Sequence, residues 1–202
     1  MKMFDSYEKN TINKKIACVT DLDPQRKDKT TGKYNKCYPF ELDVDMEKYE
    51  YQSSSNPLVD KYSKVKNHPN IRCFSQPSGI GKTFEYELIL YNSDNEILLT
   101  DSMSNLEEIK NLMEACKDKN PIDEMLTILR DGNEENERIK KSIVSNAEWD
   151  EDKKRKHIVA ARYLNSVGKG VNALEISQKL EKVESNIVVP DYIKEAVEWI
   201  CQ

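Results

Sequence analysis

The feature that most constrains the fold is a short apolar run that ends in two aspartates one residue apart. Residues 16–20 have the sequence Ile-Ala-Cys-Val-Thr, Asp21 and Asp23 follow with one leucine between them, and Pro24 stops the run. An apolar run before an acidic residue predicts a buried parallel strand, and α/β proteins place their ligands at the carboxyl ends of such strands. If the chain stays extended through Asp23, both carboxylates point the same way, because side chains alternate with a period of two.

Two carboxylates on one edge repel each other unless a positive charge lies between them. A hard divalent cation meets this need, since Mg²⁺ binds through one or two carboxylates together with water and substrate phosphate. The alternative is an acidic turn after a strand, in which Asp and Pro only supply turn chemistry. The pattern of Asp21 and Asp23 leaves both interpretations open.

Composition limits the classes of partner that the chain can bind. The 202 residues suffice for one domain, or for one domain with an insertion, and the net charge of −5 argues against a general nucleic-acid coat. Basic residues nevertheless cluster at 153–157 and in a loop after Pro24, where the cations are Arg26, Lys27, Lys29, Lys33 and Lys36. Each cluster can meet phosphates or can simply be solvated.

The cysteines and the apolar pattern predict a soluble cytoplasmic protein without a membrane partner. The five cysteines form no CxxC pair, and their odd number suits reduced thiols in the cytosol. The first 15 residues are polar and charged, and no apolar stretch of about 18 residues, the length of a membrane span, is present.

The remaining pattern predicts one more strand and many helices that cover a small sheet. A helix end is predicted at residues 4–10, a second strand at 70–74, and amphipathic helices from about residue 104 onward, the first with capping-box spacing between Ser104 and Glu107. Pro190 is expected to start a final helix, whose apolar stripe is Ile193, Ala196, Val197 and Ile200.

Residues 79–83, Gly-Ile-Gly-Lys-Thr, invite comparison with the phosphate-binding P-loop. Gln76 occupies the position of that motif's first glycine, and no apolar strand that ends in aspartate lies downstream. The segment is therefore interpreted as a flexible glycine-rich connection that leads into a helix, and no ATP site is predicted in this chain.

That helix carries Glu85 and Glu87 in its first turn, after a good N-cap residue, Thr83. An acid at this position stabilises a helix by opposing its dipole. It would also lie near the sheet edge, where it could complete a metal site that Asp21 and Asp23 begin. Spacing alone does not choose between these roles.

Three segments in this order resemble one family. They are IACVTDLDP (16–24), KTFEYEL (82–88) and GKGVNALEISQKL (168–180), the last followed by VVPDYIKEAVEWI (188–200). Together they resemble the carboxyl-terminal Toprim domain of OLD-family nucleases, ATP-dependent endonuclease-like proteins that include the Gabija phage-defence nuclease. The resemblance implies an α/β fold with a small Rossmann-like parallel sheet, divided into a first core part (1–93), a helical insertion (94–166) and a last core part with C-terminal helices (167–202).

The resemblance also implies a metal-dependent DNA endonuclease, acting in phage defence or DNA repair, and assigns roles to single residues. Asp21 and Asp23 match the DxD metal pair, and Glu85 matches the acid of the T-L-E motif, with Phe84 in place of leucine. Lys169 matches the lysine of the K-G motif and would be catalytic. One or two Mg²⁺ or Mn²⁺ ions would clamp the phosphodiester oxygens, while the lysine offsets charge that develops on the phosphate.

The chain departs from the family pattern at its start. A Toprim domain normally begins with a glutamate-bearing strand, but here about 15 residues precede the DxD strand and Glu8 is the sole glutamate among them. The ATPase domain of OLD proteins is missing as well. Besides DNA, the expected partner is therefore an ATPase-bearing protein or another polypeptide that supplies the missing N-terminal half, or a second copy of the chain, because an open sheet edge calls for a partner strand.

Two other hypotheses remain. In a haloacid-dehalogenase-type phosphatase, which also opens with a strand and DxD, Asp21 would be the nucleophile and Asp23 the general acid and base. Gln25 stands where that family has threonine or valine. The chain could also be a non-catalytic interaction protein or a degenerate Toprim fragment, as the missing glutamate motif suggests.

Overall fold

The computed structural model describes residues 14–52, 56–63, 67–182 and 186–201. The helix end predicted at residues 4–10, and Glu8 within it, lie outside these described residues. Within them the chain is α/β, with a small parallel sheet, an antiparallel sheet and helices that continue to the C-terminal end, which confirms the predicted class. None of the described helices combines the length and the apolar character that crossing a membrane requires.

The strands lie in the first half of the chain and most helices in the second. The strands are β1 (Ile16–Val19), β2 (Gln25–Asp28), β3 (Tyr34–Lys36), β4 (Tyr49–Gln52) and β5 (Ile71–Phe74). The helices are α1 (Pro57–Lys61), α2 (Phe84–Tyr91), α3 (Leu106–Lys117), α4 (Ile122–Ile128), α5 (Glu134–Ser145), α6 (Glu151–Leu164), α7 (Lys169–Leu180) and α8 (Asp191–Cys201).

The chain folds into two compact units. The first, called here the strand unit, comprises Met1–Pro39, Glu50–Phe84 and Val189–Gln202; the second, the helical unit, comprises Phe40–Tyr49 and Glu85–Val188. The division into segments 1–93, 94–166 and 167–202 concerns family organisation and stays a prediction.

Both predicted strands of the strand unit are present, and they pair in parallel. Ile16 lies opposite Ile71 and Val19 opposite Phe74. One face packs against α8 through a cluster of Phe74, Tyr192, Ala196 and Trp199 with Ala17 beside it. The other face packs against α1 and Tyr62 through a cluster of Ile71 and Cys73. Coverage on both faces explains why β1 is apolar throughout rather than alternating, whereas β5 carries one charged residue, Arg72.

The loop predicted after Pro24 is instead a β-hairpin formed by β2 and β3, with Gln25 opposite Lys36. Its polar strands carry no apolar alternation, so the pattern gave no strand signal. The turn holds the hairpin together: the Asp28 carboxylate accepts hydrogen bonds from the backbone of Thr30 and Thr31, and Gly32 adopts a φ of +69°. A glycine takes this left-handed conformation without the steric cost of a side chain.

The predicted helices of the helical unit are present, with small changes at their ends. Ile109, Leu112 and Met113 of the predicted α3 stripe are buried, as expected for an amphipathic helix. The capping box is wrong, because Asn105 is the N-cap of α3 and makes no side-chain capping bond. Ser104 instead donates from its backbone to the carbonyl of Ser166, 2.9 Å away.

Helix α7 begins earlier than the glycines around it suggest. Gly168 is its N-cap and Lys169 its first residue, so the two glycines, which are typical of a break, flank the first residue of the helix. The last helix, α8, follows Pro190 as predicted, but its buried face differs from the predicted stripe. Val197 and Ile200 are about half exposed, at 56% and 47%.

Candidate functional site

The two aspartates lie in a turn beyond the end of β1. The strand stops at Val19, and Asp23 has a φ of +44°, in the left-handed region. The extended conformation predicted through Asp23 is therefore wrong at this residue. Its backbone N–H donates to the carbonyl of Lys82, 2.9 Å away, and this contact turns the chain out of the sheet direction. The pair still follows the carboxyl end of a parallel strand, as predicted.

Asp21 is held by two donors that lie far from it in the sequence. Its Oδ1 accepts from the Gln76 side-chain amide at 3.0 Å and from the backbone N–H of Phe84, the first residue of α2, at 2.9 Å. The second contact places a carboxylate against a helix N-terminus, where the dipole and an unpaired amide favour it. Oδ2 of Asp21 has no hydrogen-bond partner within the described ranges.

Asp23 has one paired and one unpaired carboxylate oxygen. Oδ2 lies 2.9 Å from the ammonium of Lys36 in β3, whose side chain is 66% exposed. Oδ1 is buried, and no donor in the described part of the chain reaches it. A buried carboxylate oxygen without a partner is costly, and it is the kind of atom that a cation satisfies.

One glycine of the glycine-rich segment is closely packed, and the lysine of the segment turns inward. Lys82 is 5% exposed, its ammonium donates to the carbonyl of Cys37 at 2.8 Å, and it lies over the ring of Tyr38. A Cβ on Gly81 would lie 2.1 Å from Cβ of Gln76. Gly81 is therefore needed for close packing, and Lys82 does not present its charge to a nucleotide phosphate, in line with the rejection of a P-loop.

Glu85 and Lys169 lie together in the helical unit. Oε2 of Glu85 is 3.4 Å from the Lys169 ammonium, a charge pair without hydrogen-bond geometry. The lysine is 60% exposed and the glutamate 19%. Two of the four predicted site residues are thus paired in this unit, and the other two share one turn of the strand unit.

A polar network in the helical unit includes the neighbours of this pair. Tyr163 donates to the carbonyl of Leu98 at 3.1 Å and accepts from Asn172, which in turn accepts from Thr100. Burial first, and then the charge of Glu85, raise the pKa of the Tyr163 phenol, while the bond from Asn172 opposes the shift. Tyr163 is therefore a neutral hydrogen-bonding group at physiological pH.

Several side chains of the basic cluster at 153–157 make contacts within the helical unit. Lys153 lies 3.8 Å from the centre of the Trp149 ring, Arg155 pairs with Glu151, and His157 is buried. These three side chains serve packing and helix pairing, and whether the cluster meets phosphates stays a prediction.

Among the described residues, no group of three or more His, Cys, Asp or Glu side chains is placed to hold a metal ion. Two carboxylates are enough for Mg²⁺, which keeps several waters and takes further ligands from substrate phosphate. Asp21 and Asp23, with their unpaired oxygens, are the residues that could hold such an ion.

Gln76 is the site residue that the sequence analysis missed. Besides Asp21, its amide nitrogen donates to the Tyr192 hydroxyl at 3.0 Å, and its carbonyl oxygen accepts from the backbone of Leu22 at 2.7 Å. It fixes the start of the aspartate turn against α8. The only available signal was its place just after β5, beside the end of β1, where parallel strands gather polar groups.

Comparison with protein-family models, with curated proteins and with solved structures finds no match to this chain. The proposals below therefore depend on the residues themselves and on the resemblance of the three segments.

Proposed function

We propose that Asp21 and Asp23 bind a divalent cation, Mg²⁺ or Mn²⁺, and that the chain contributes a metal-dependent DNA endonuclease activity of the OLD-type Toprim kind. The observation that carries this proposal is the buried, unpartnered Oδ1 of Asp23 in a turn that follows a parallel strand. A fold tolerates such an oxygen when a ligand completes it.

The donor chemistry fits a hard cation. Both side chains offer carboxylate oxygens, the ligands that Mg²⁺ and Mn²⁺ prefer, and each has one oxygen without a partner within the described residues. When bound, the ion would polarise a phosphodiester and activate water for its hydrolysis. The hydrogen bonds from Gln76 and Phe84 would hold Asp21 in place, leaving its second oxygen available.

In the absence of a metal ion, the ammonium of Lys36 supplies the positive charge beside Asp23. This ammonium neutralises Asp23 from one side, and the lysine side chain is largely exposed to solvent. A surface ion pair of this kind contributes little free energy, about 0–1 kcal/mol, so its loss opposes metal binding only weakly.

Glu85 and Lys169 have proposed roles that follow from the resemblance. By that resemblance Glu85 would be a metal ligand, and Lys169 would offset charge on a phosphate. In the structure their side chains lie 3.4 Å apart and face each other as an ion pair. We expect Glu85→Gln and Lys169→Ala to lower nicking without lowering the melting temperature, because the pair is exposed on its lysine side.

Metal binding is tested first by the melting temperature of the full chain. Mn²⁺ should raise it, because a ligand that binds only the folded state stabilises that state. Asp23→Asn should abolish the rise, while the matched variant Lys36→Ala should keep or increase it, since a competing cation is removed. An equal rise in wild type and Asp23→Asn would place the ion elsewhere.

Nuclease activity is tested by nicking of supercoiled DNA with Mg²⁺ or Mn²⁺, with and without a candidate ATPase partner. We expect nicking by wild type and none by Asp21→Ala. Equal nicking by both proteins would overturn the nuclease proposal, whereas metal binding without nicking under any condition would leave the second candidate.

That second candidate is a non-catalytic interaction protein. It is favoured by the parallel sheet, in which β1 pairs only with β5 among the described residues, and by Val19 at its tip, which is 50% exposed. An uncovered edge strand is a template for another chain. Light scattering of the chain alone and after co-expression with an ATPase-bearing partner would report the assembly that this candidate requires.

A further inference from the structure

The helical unit contains a cavity of about 390 Å³ that no role described so far uses. This is within the range of ~300–1,000 Å³ typical of small-molecule sites. Ser93 and Cys116, both 7% exposed, line it with their side chains 3.6 Å apart, Oγ to Sγ. Burial raises the pKa of the Cys116 thiol, so this wall carries no negative charge at neutral pH.

Lysines surround the cavity in excess of carboxylates. Lys117, Lys119 and Lys156 line it against Asp94 and Asp152. Lys156 forms an ion pair with Asp152, 3.0 Å away, and this pair lowers the pKa of the aspartate. Lys117 and Lys119 have no ion-pair partner in the described part of the chain. Lys117 and Lys119 therefore give the cavity a net positive lining, and the charge of Lys119 also contributes to lowering the pKa of Asp152.

Lys119 stands at a backbone position that usually belongs to glycine. Its φ is +57°, and two hydrogen bonds close the end of α3: Asn120 N–H to the Ala115 carbonyl at 2.9 Å, and Lys119 N–H to the Cys116 carbonyl at 3.2 Å. This is a Schellman motif, in which the left-handed residue is commonly glycine because other side chains are strained there. Lysine is strained in this backbone conformation, which suggests that its side chain has a role in binding.

We propose that this cavity binds a small phosphorylated molecule, with the ammonium groups of Lys117 and Lys119 on the phosphate and the Ser93 hydroxyl as a further donor. Lysine ammoniums act as point charges toward phosphate and need no fixed geometry, which suits two flexible side chains at a cavity wall. Leu90 and Tyr91, which also line the cavity, offer surface to the organic part of such a ligand. This site is independent of the aspartate turn and of any nuclease activity.

The test is calorimetric titration of the full chain with inorganic phosphate and with pyrophosphate at low ionic strength. We expect pyrophosphate to bind, and the double variant Lys117→Ala/Lys119→Gly to weaken binding by roughly tenfold or more, the effect of losing charged hydrogen bonds. The variant should melt no lower than wild type, because glycine suits the left-handed position. Lys110→Ala, which removes an exposed lysine of α3 that does not line the cavity, should bind like wild type.

Several outcomes overturn the proposal. No binding of either probe by wild type would do so, as would equal binding by the double variant. If the double variant melts at a lower temperature than wild type but still binds pyrophosphate equally well, the lysines only stabilise the end of α3. Binding of pyrophosphate that single-stranded oligonucleotides abolish in direct competition would assign the lysines to nucleic acid instead. Asp21→Asn is expected to bind pyrophosphate like wild type, which separates this result from failure of the metal proposal.

Discussion

His157 lies in an aromatic cluster of the helical unit and is 3% exposed. Its Nδ1 is 2.6 Å from the Tyr86 hydroxyl in a hydrogen bond, and its ring centre is 4.3 Å from that of Trp149. Burial first, and then the nearby charge of Lys153, lower its pKa from 6.5 to about 3. The imidazole is therefore neutral in the folded protein across the physiological range.

This histidine predicts a loss of stability in mild acid. Because the unfolded chain takes up a proton near pH 6.5 and the folded chain does not, stability is fully present above pH 6.5 and falls as the pH drops toward 3. The limiting slope is about 1.4 kcal/mol per pH unit. Urea denaturation at pH 7 and pH 5 measures it.

His157→Gln is the matched variant, since glutamine can still pair with the Tyr86 hydroxyl. We expect it to be less stable than wild type at pH 7, through poorer packing, but to lose less stability between pH 7 and pH 5. Equal losses in both proteins would mean that His157 is protonated in the folded state.

Helix α8 carries two apolar surfaces, and only one packs within the strand unit. Trp199 is 6% exposed and contacts Phe74, with ring centres 6.2 Å apart, whereas Val197 is 56% exposed. The guanidinium of Arg72 and the ammonium of Lys15 both lie over the Trp199 ring, at 5.0 and 5.5 Å. Cation–π contacts of this kind add to the burial of the indole. Trp199 is thus the anchor of the helix.

We predict that Trp199→Ala lowers the free energy of unfolding by about 3–5 kcal/mol, the usual effect of removing a large buried aromatic side chain. Val197→Ser should change it by no more than about 0.5 kcal/mol, since exposed positions contribute little. Urea midpoints of the two variants compare the faces directly. A similar loss in both would show that Val197 belongs to the buried face, as the sequence pattern predicted.

Contacts between distant parts of the chain stabilise the helical unit through one buried acid. Glu108 of α3 accepts from Arg162 of α6 at 2.5 Å and from Asn136 of α5 at 3.2 Å. Arg162 and Glu108 are both buried, while Arg130, 3.4 Å from the other oxygen of Glu108, is 68% exposed. Glu108 thus joins three helices, and Arg162 is the main partner of its buried carboxylate.

We predict that Arg162→Ala costs about 3–5 kcal/mol, because it leaves the Glu108 carboxylate buried without its main partner. Arg130→Ala should cost at most about 1 kcal/mol, as expected for an exposed partner. Denaturation midpoints measure both, and Glu108→Leu/Arg162→Met should recover much of the stability that Arg162→Ala loses. Equal effects of the two arginine variants would contradict a buried pair.

Much of the secondary structure could be predicted because it depends on local periodicity. The apolar run of β1, the largely apolar β5 and the stripe of Ile109 and Leu112 in α3 identify elements within a few residues. The hairpin of β2 and β3 was missed, since its strands are polar and only the turn at Asp28 and Gly32 carried a signal. The start of α7 at Lys169 was missed because glycines on both sides resemble a break.

The amino-acid order alone was enough to determine that two aspartates follow a short apolar strand and that helices would cover a small sheet. The predicted burial of that strand is only partial, since Val19 is 50% exposed. Only the tertiary structure determined the left-handed turn at Asp23 and the inward orientation of the Lys82 side chain. It also determined the hydrogen bond from Gln76 to Asp21, which joins residues 55 positions apart. The reason is physical. A pattern along the chain reports which face of an element avoids water, whereas the partner of a polar atom is set by segments that meet only after the chain has packed.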